Sequence, residues 1–238
     1  MADIPRSNFS DWIWPVPMFL DNPPVISDGY GRDKRVGKDG KARGHFGVDI
    51  MHPRRKNNPL DVGVTGSKNF VTYPGEEALL AGDGLIKEIG VTSTGHFVRA
   101  EHRVAGRSIL SVYRHLMNVR PEILKGEVVK AGFPLGLLGD DPTNQADPIH
   151  LHFELWDLAR TRLYPEATID PELVMAQWRV KRIPQGDIIP HPNPPKGDGG
   201  VGGGSGLAAA LLSAFAGLGF AILVSRKGGR YIALALES

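Results

Sequence analysis

The sequence contains no cysteine among its 238 residues. This absence excludes a disulfide-stabilised scaffold, a thiolate zinc finger and a cysteine nucleophile, so any metal must be held by His, Asp or Glu. An excess of charge of one sign is also lacking, because 28 Lys and Arg residues face 26 Asp and Glu residues. The net charge of +2 does not favour a nucleic acid as the main partner, and we expect no nucleic-acid binding.

A secretory signal peptide is not recognisable at the N-terminus. The first seven residues, Met-Ala-Asp-Ile-Pro-Arg-Ser, do not form a cationic stretch followed by an apolar core. We therefore expect no ordinary signal peptide. The composition is otherwise that of a globular protein, with 41% hydrophobic and 23% charged residues, which excludes disorder of the whole chain.

Short apolar runs separated by glycines fill the middle of the chain. They span residues 85–91, 97–104, 108–113, 127–129, 134–138 and 149–156. Several alternate and contain β-branched residues, and none has the length of a normal helix. They predict a mainly β fold, with a small antiparallel β-sheet core and flanking loops. One short helix is predicted near Asp170–Trp178, because Asp170 can cap it and Pro171 suits its first position.

Composition divides the chain into four parts: a folded domain, a Pro-rich then Gly-rich linker, a separate apolar C-terminal helix and a short basic and apolar tail. These parts span residues 1–182, 183–205, 206–225 and 226–238. Within the folded domain, residues 1–25 are predicted to be extended because of their prolines. The glycine-rich, basic stretch 29–44 is predicted to be a loop.

The apolar segment 206–225 contains no charged residue over twenty positions, which is the length of a transmembrane helix. Arg226, Lys227 and Arg230 follow at once, and by the positive-inside rule they place the C-terminus in the cytoplasm. Small residues in the segment favour self-association. The alternative is a helix buried in an oligomer or a particle channel. The expected partners of this segment are inner-membrane lipid, further copies of the chain or virion tail proteins.

His45 and Asp49 lie four residues apart in the segment 44–49, Gly-His-Phe-Gly-Val-Asp. On an extended strand, side chains at i and i+4 project from the same face, so these two could converge on one ion. A nitrogen and an oxygen ligand are of the kind that zinc accepts. This spacing alone is common by chance.

Residues 149–156 alternate strictly between apolar and polar side chains. His150, His152 and Glu154 share one face, and the apolar residues between them share the other. A half-exposed structural strand is the alternative, but two imidazoles on one face contribute little to stability, which favours a functional role. Glu154 could orient an imidazole. His115 follows an apolar strand and becomes a functional candidate because of these other histidines.

Together these residues could supply three metal ligands with an open fourth position, and two further imidazoles. Zinc in an open site lowers the pKa of bound water from about 15.7 to about 7, so that water can attack a carbonyl carbon. One imidazole can take the proton of the water, and another can stabilise the oxyanion or protonate the leaving amine. The set is typical of metal-assisted amide hydrolysis.

The order of these motifs resembles the lysostaphin-type, LytM-like zinc endopeptidases, which cut peptide cross-links in bacterial peptidoglycan. The similarity runs from about residue 14 to residue 156. Five motifs carry it in the family's order: an entry segment at residues 14–17 and 27–32, His45–Asp49, Pro74–Gly84, a stretch made of Tyr113–Leu116, Gly126–Gly132 and Leu135–Gly139, and His150–Glu154. Each motif is weak alone, but five in the same order are specific.

The resemblance implies Zn2+ ligands at His45, Asp49 and His152, and catalytic imidazoles at His115 and His150. It also implies a groove across the sheet that binds a stem or cross-bridge peptide of peptidoglycan. Two stretches depart from the family's pattern. Residues 51–73 are longer than usual, and Gly-Asp-Asp-Pro-Thr at 139–143 replaces the usual Gly-Thr-Gly turn. Both would border the groove, so the sequence does not identify which peptide bond is cut.

We therefore predict a zinc metalloendopeptidase of peptidoglycan, carried by a phage or phage-like particle for penetration of the cell wall. Its expected location is the phage tail of the virion or the cell envelope. The alternative is a non-enzymatic structural or binding module of a virion or envelope complex. Degenerate members of the family normally lose ligands, and all five positions are kept here, which favours the enzyme.

Overall fold

The computed structural model of the protein describes residues 5–36, 42–56, 58, 61, 66–139, 148–160, 166–182, 222–227 and 230–235. The chain divides into two compact units, residues 1–194 and 195–238. This division falls inside the predicted linker 183–205, all of which lies outside the described residues. The boundary at residue 182 therefore stays a prediction.

A nine-stranded antiparallel sheet forms the centre of the first unit. Its strands are β1 (Val25–Asp28), β4 (Val48–Pro53), β5 (Phe70–Val71), β7 (Gly84–Thr92), β8 (Gly95–Val104), β9 (Arg107–Leu116), β10 (Val128–Val129), β12 (Leu151–Asp157) and β13 (Thr168–Ile169). The order across the sheet is β1-β4-β12-β9-β8-β7-β10, with β13 paired to β12 and β5 to β4. Two small sheets pair β2 (Gly31–Val36) with β3 (Ala42–His45), and β6 (Glu77–Leu79) with β11 (Pro134–Leu137).

The predicted mainly β fold is confirmed. Each of the six apolar runs coincides with a strand, from β7 to β12. Among the described residues, the helices are a 3₁₀ helix at Arg6–Phe9 and α1 at Glu172–Met175. The predicted short helix is therefore present but shorter than expected. The Glu172 backbone N–H donates to Asp170 Oδ1 over 2.9 Å at its start.

Two predictions about the N-terminal part were wrong. The stretch predicted to be a loop contains β2 and β3, which pair with each other. Glycine and charged residues have a low strand propensity, but pairing satisfies the backbone of such a ribbon all the same. The stretch predicted to be extended contains the 3₁₀ helix, in which the Asn8 N–H donates to the Pro5 carbonyl over 3.1 Å.

The apolar C-terminal helix predicted at 206–225 falls mainly on residues outside the described part. Residues 222–225 are described, and they lie in a strand instead, β14 (Ile222–Lys227). This strand pairs in antiparallel fashion with β15 (Arg230–Ala235), which lies in the part 226–238 that was predicted to be a short tail. Within the described residues, every helix is too short or too polar to span a bilayer.

The two faces of β12 differ, because one is buried in the core and the other carries polar side chains. On β12, Leu151, Phe153 and Leu155 have no exposed surface and belong to the main core. The side chains between them, His152 and Glu154, point to the opposite face because alternate residues of a strand do so. The polar face of β12 therefore has the orientation that the alternation predicted.

Candidate metal centre and active site

Three side chains from three strands meet at one point of the polar face. His45 ends β3, Asp49 lies in β4, and His152 lies in β12 directly opposite Asp49. Asp49 Oδ1 is 3.0 Å from His45 Nε2 and 2.9 Å from His152 Nδ1. The two imidazole nitrogens are 3.1 Å apart. The three predicted metal ligands are thus brought together, and their ligand atoms are close enough to hold one ion.

Each imidazole of the cluster has an outer nitrogen that is hydrogen-bonded to another group. These hydrogen bonds determine which ring nitrogen carries the proton and which carries the lone pair. His45 Nδ1 lies 2.7 Å from the Gly29 carbonyl oxygen, which can only accept. His152 Nε2 lies 3.1 Å from the Glu154 carboxylate, which also accepts. The N–H groups therefore point outward, and two nitrogen lone pairs face a carboxylate oxygen. A cation between them would be held by all three groups, and the donor set fits a metal ion.

Burial and hydrogen bonding act on Asp49 in opposite directions. Burial by itself would raise the pKa of this carboxyl, since only 6% of the residue is exposed. The contacts of Asp49 with the imidazoles of His152 and His45 outweigh burial and hold the pKa of Asp49 well below its usual range. Burial also tends to lower the pKa of His152, but the carboxylates of Asp49 and Glu154 raise it overall. Asp49 is thus a carboxylate, as a metal ligand must be.

The two predicted catalytic imidazoles lie beside the cluster. The ring centroids of His115 and His150 are 4.6 Å apart, and His150 Nε2 is 3.5 Å from Asp49 Oδ1. His115 Nδ1 is 3.1 Å from the Thr94 carbonyl oxygen, and His150 Nδ1 is 2.7 Å from that of Pro148. Because carbonyls accept, both Nδ1 atoms carry protons, and Nε2 is the basic nitrogen of each neutral ring.

A β-bulge places His115 on the polar face. Two residues of β9, Arg114 and His115, lie opposite the single residue Phe97 of β8. His115 has φ 63°, in the left-handed region that non-glycine residues seldom adopt. Regular alternation would put His115 on the buried face, because Arg114 pairs with His152. The bulge instead brings its ring centroid to 6.1 Å from that of His152.

The environment of His115 favours its neutral form. Burial is the main cause, the charge of His150 adds to it, and together they lower the pKa of His115 to about 4. A neutral imidazole at neutral pH can accept a proton at Nε2. This property suits a general base or a hydrogen-bond partner that is already in position.

Two functional candidates were missed in the sequence. Arg114 and Trp156 both donate to the Glu154 carboxylate, Arg114 Nε over 2.8 Å and Trp156 Nε1 over 2.7 Å. Trp156 could have been found, because it continues the polar face of β12 two residues beyond Glu154. Arg114 could not, because only the register between β9 and β12 shows that it lies opposite His152.

The remaining described histidines lie outside the cluster. His52 is fully buried and bonded to Glu76 and to the Asn22 carbonyl. His102 is also buried, with Nε2 2.7 Å from Ser111 Oγ. Both imidazoles are thus held by hydrogen bonds inside the fold, away from the cluster.

Comparison with protein families gives one match. Residues 66–165 match the model of Peptidase family M23. The matched segment contains His115, His150 and His152, whereas His45 and Asp49 precede it and are added to the cluster by the fold. No curated protein matches the sequence significantly.

Several solved structures are similar to this chain at low identity. A zinc-containing peptidase from Vibrio cholerae has 21% identity and a TM-score of 0.45, covering 69% of this chain and 39% of its own. Lysostaphin from Staphylococcus simulans has 20% identity and a TM-score of 0.45, with coverage of 75% and 60%. The LytM protein of Ruminococcus gnavus has 22% identity and a TM-score of 0.49, with coverage of 75% and 66%.

The chain thus spans well under half of the Vibrio cholerae peptidase and somewhat under two thirds of lysostaphin. The family match covers the β-strands from β5 to β12 and the last of the sequence motifs. The resemblance to the lysostaphin-type, LytM-like zinc endopeptidases is supported by this match of residues 66–165 to the model of Peptidase family M23.

Proposed function

We propose that the protein is a zinc metalloendopeptidase that hydrolyses peptide cross-links of bacterial peptidoglycan. The observation that carries the proposal is the convergence of His45, Asp49 and His152 beside His115 and His150. Two nitrogens and one carboxylate oxygen are a ligand set found in catalytic zinc sites. The two imidazoles beside them can serve as general acid or base. The family match supports a peptidase.

His45 Nε2, Asp49 Oδ1 and His152 Nδ1 would hold the ion. Bound zinc would polarise the scissile carbonyl and lower the pKa of water at the fourth position. The protein contributes fixed ligand orientation, because the Gly29 carbonyl and the Glu154 carboxylate hold the outer nitrogens of the two imidazoles.

His150 and His115 would move the protons of the reaction. Hydrolysis forms a bond from the water oxygen to the carbonyl carbon and breaks the bond from that carbon to the amide nitrogen. One imidazole accepts the water proton at Nε2, and a proton is then delivered to the leaving nitrogen to give a free amine. Backbone carbonyls of Thr94 and Pro148 hold the Nδ1 protons, so Nε2 of each ring is available for this transfer.

Purified peptidoglycan tests this function. The full chain with zinc should lower the turbidity of a cell-wall suspension and release new amino groups without new reducing sugar ends. Excess chelator should stop both, and zinc should restore them. Asp49→Ala serves as the matched inactive variant. Release of reducing ends, or release of amines that is unaffected by chelator, would contradict the proposal.

We also propose that the enzyme is carried by a phage or phage-like particle and that residues 206–225 insert into the inner membrane. The uncharged run and the basic residues after it support membrane insertion. The Pro/Gly linker would let the zinc domain work on the wall. This part of the proposal rests on the sequence pattern alone.

Flotation with liposomes tests the membrane part. The full chain should float, and a variant with Leu212→Glu and Phe215→Glu should stay in the dense fraction. If the unmodified chain stays in the dense fraction and sediments as an oligomer, residues 206–225 join copies of the chain instead. The enzymatic proposal is independent of this result.

A further inference from the structure

Glu154 on the polar face of β12 is buried and accepts several hydrogen bonds. Only 3% of the residue is exposed. Oε1 accepts from His152 Nε2 over 3.1 Å and from Arg114 Nε over 2.8 Å, and Oε2 accepts from Trp156 Nε1 over 2.7 Å. Three donors from two neighbouring strands thus hold one buried carboxylate next to a metal-ligand candidate.

The guanidinium of Arg114 and the indole N–H of Trp156 can only donate, so the Glu154 carboxylate accepts a hydrogen bond from each of them. An ionised carboxylate can only accept hydrogen bonds, so the proton between Glu154 and His152 belongs to the imidazole.

We propose that Glu154 is a positioning residue that fixes His152 with Nδ1 toward Asp49, and that Arg114 and Trp156 hold its carboxylate in place. The inference rests on the proposed zinc enzyme and deepens it. With Nε2–H held by Glu154, Nδ1 keeps its lone pair 2.9 Å from Asp49 Oδ1. Without the carboxylate, the ring can adopt the other tautomer or turn its Nδ1 away.

Close packing at Gly47 supports this role. A Cβ atom at Gly47 would lie 2.9 Å from both Glu154 Cγ and His152 Nε2, and 2.5 Å from the Phe153 carbonyl oxygen. These distances are shorter than van der Waals contact, so the hydrogen-bonded pair fits only beneath a glycine. Close packing therefore explains why a glycine stands at position 47, between His45 and Asp49.

Arg114 and Trp156 are themselves held. Arg114 lies opposite His152 in the register of β9 with β12, directly before His115. The guanidinium carbon of Arg99 lies 5.7 Å from the centroid of a Trp156 ring, a cation–π contact that fixes the indole. The Glu154 clamp, defined as Glu154 with Arg114 and Trp156, therefore joins β9 and β12.

Zinc affinity of the purified full chain tests the clamp. Competition with a chromophoric chelator should show zinc binding weakened about 10–100-fold in Glu154→Ala, the usual loss when a partner of a ligating histidine is removed. Glu154→Gln keeps an acceptor for His152 and should lose less than Glu154→Ala. Trp156→Phe keeps a ring but removes one donor, so it should also weaken binding, by less than Glu154→Ala.

Glu77 gives a matched control. Its carboxylate accepts from Arg120 Nε over 2.7 Å and from Nη2 over 2.8 Å, and it lies in β6 of a separate small sheet. Glu77→Ala should leave zinc affinity unchanged. If Glu154→Ala does not fold, Glu154→Gln and Trp156→Phe keep the test open, because each removes only part of the clamp.

Ring nitrogen NMR of the zinc-free protein provides a readout that a purely structural role would not change. At alkaline pH, where imidazole is neutral, His152 of the unmodified chain should carry its proton on Nε2. Glu154→Ala should show a mixture of tautomers. Unchanged zinc affinity and an unchanged tautomer in Glu154→Ala would overturn the inference. If the unmodified chain bound no zinc but the tautomer depended on Glu154, the proposed zinc enzyme would fail while the positioning role held.

Discussion

His152 lies directly opposite Asp49 in the pairing of β12 with β4, and its Nδ1 is 2.9 Å from Asp49 Oδ1. The two residues are 103 positions apart in the sequence. The cluster of His45, Asp49 and His152 therefore forms only when these strands are paired in this register. Zinc binding at the proposed site would be coupled to folding for the same reason, because the unfolded chain does not bring the proposed ligands together.

Removal of any one ligand should release zinc. His45→Ala, Asp49→Ala and His152→Ala should each lower the content from about one zinc per chain to near zero in dialysed protein. At a free zinc concentration of 100 times the Kd, binding stabilises the native state by about 2.7 kcal/mol, and the variants should lose this gain in thermal unfolding.

His96 provides the control for these ligand variants, because it is a half-buried histidine of β8 that no part of the cluster uses. His96→Ala should keep its zinc. Full zinc occupancy in any of the three ligand variants would show that the assignment is wrong for that residue.

Substitution of His115 or His150 should differ in its effects from substitution of a zinc ligand. His115→Ala and His150→Ala should keep zinc but lose roughly 10²–10⁴-fold in the rate of amine release, the usual contribution of a positioned acid or base. Zinc analysis and rate should be measured on the same preparations. Loss of zinc in His150→Ala with retention in His152→Ala would reverse the two assignments.

The left-handed backbone at His115 predicts an order of stability between two variants. The left-handed region costs a residue other than glycine roughly 1–2 kcal/mol of conformational free energy, and glycine does not have this cost. Since both substitutions remove the imidazole, His115→Gly should be about 1 kcal/mol more stable than His115→Ala in urea unfolding of the zinc-free protein. A more stable alanine variant would contradict φ 63° and the bulge.

The burial of His102 leads us to expect a loss of stability in mild acid. Burial lowers its pKa from 6.5 to about 4 in the folded protein, while the unfolded chain keeps the ordinary value. The neutral ring therefore contributes stability that is complete above pH 6.5 and is lost as the pH falls toward 4. The difference is on the order of 3 kcal/mol by linkage.

His102→Gln removes this titration and isolates it from those of other groups. The stability of unmodified protein minus that of the variant, measured by urea unfolding in chelator, should fall between pH 6.5 and pH 4. A difference that is independent of pH would show that His102 is not held neutral by its burial.

The sequence predicts those parts of the site that follow strand periodicity, and fails where backbone irregularity or register decides. Alternation along β12 places His152 and Glu154 on one face, as expected, and His150 directly precedes this strand. His115 reaches that face only through a bulge, which alternation cannot show. Arg114 becomes a partner of Glu154 because of pairing between strands that are distant in sequence.

The glycine-rich ribbon of β2 and β3 was predicted to be a loop for a related reason. Its residues have a low intrinsic preference for strands, and its pairing partner lies within the same polar stretch. The consequence for the site is direct, since His45 is the last residue of β3. Sequence motifs identified His45 as a ligand candidate, while the fold determines how it is held against Gly29.

Zinc-edge X-ray absorption of the full chain loaded with one zinc tests the central claim most directly. We predict nitrogen and oxygen ligands at about 2.0–2.2 Å, with an imidazole signal from two histidines in the unmodified chain. In His152→Ala, any zinc that is still bound should show the signal of one histidine fewer. An identical spectrum from the unmodified chain and from His152→Ala at equal zinc content would contradict the site proposed for His45, Asp49 and His152.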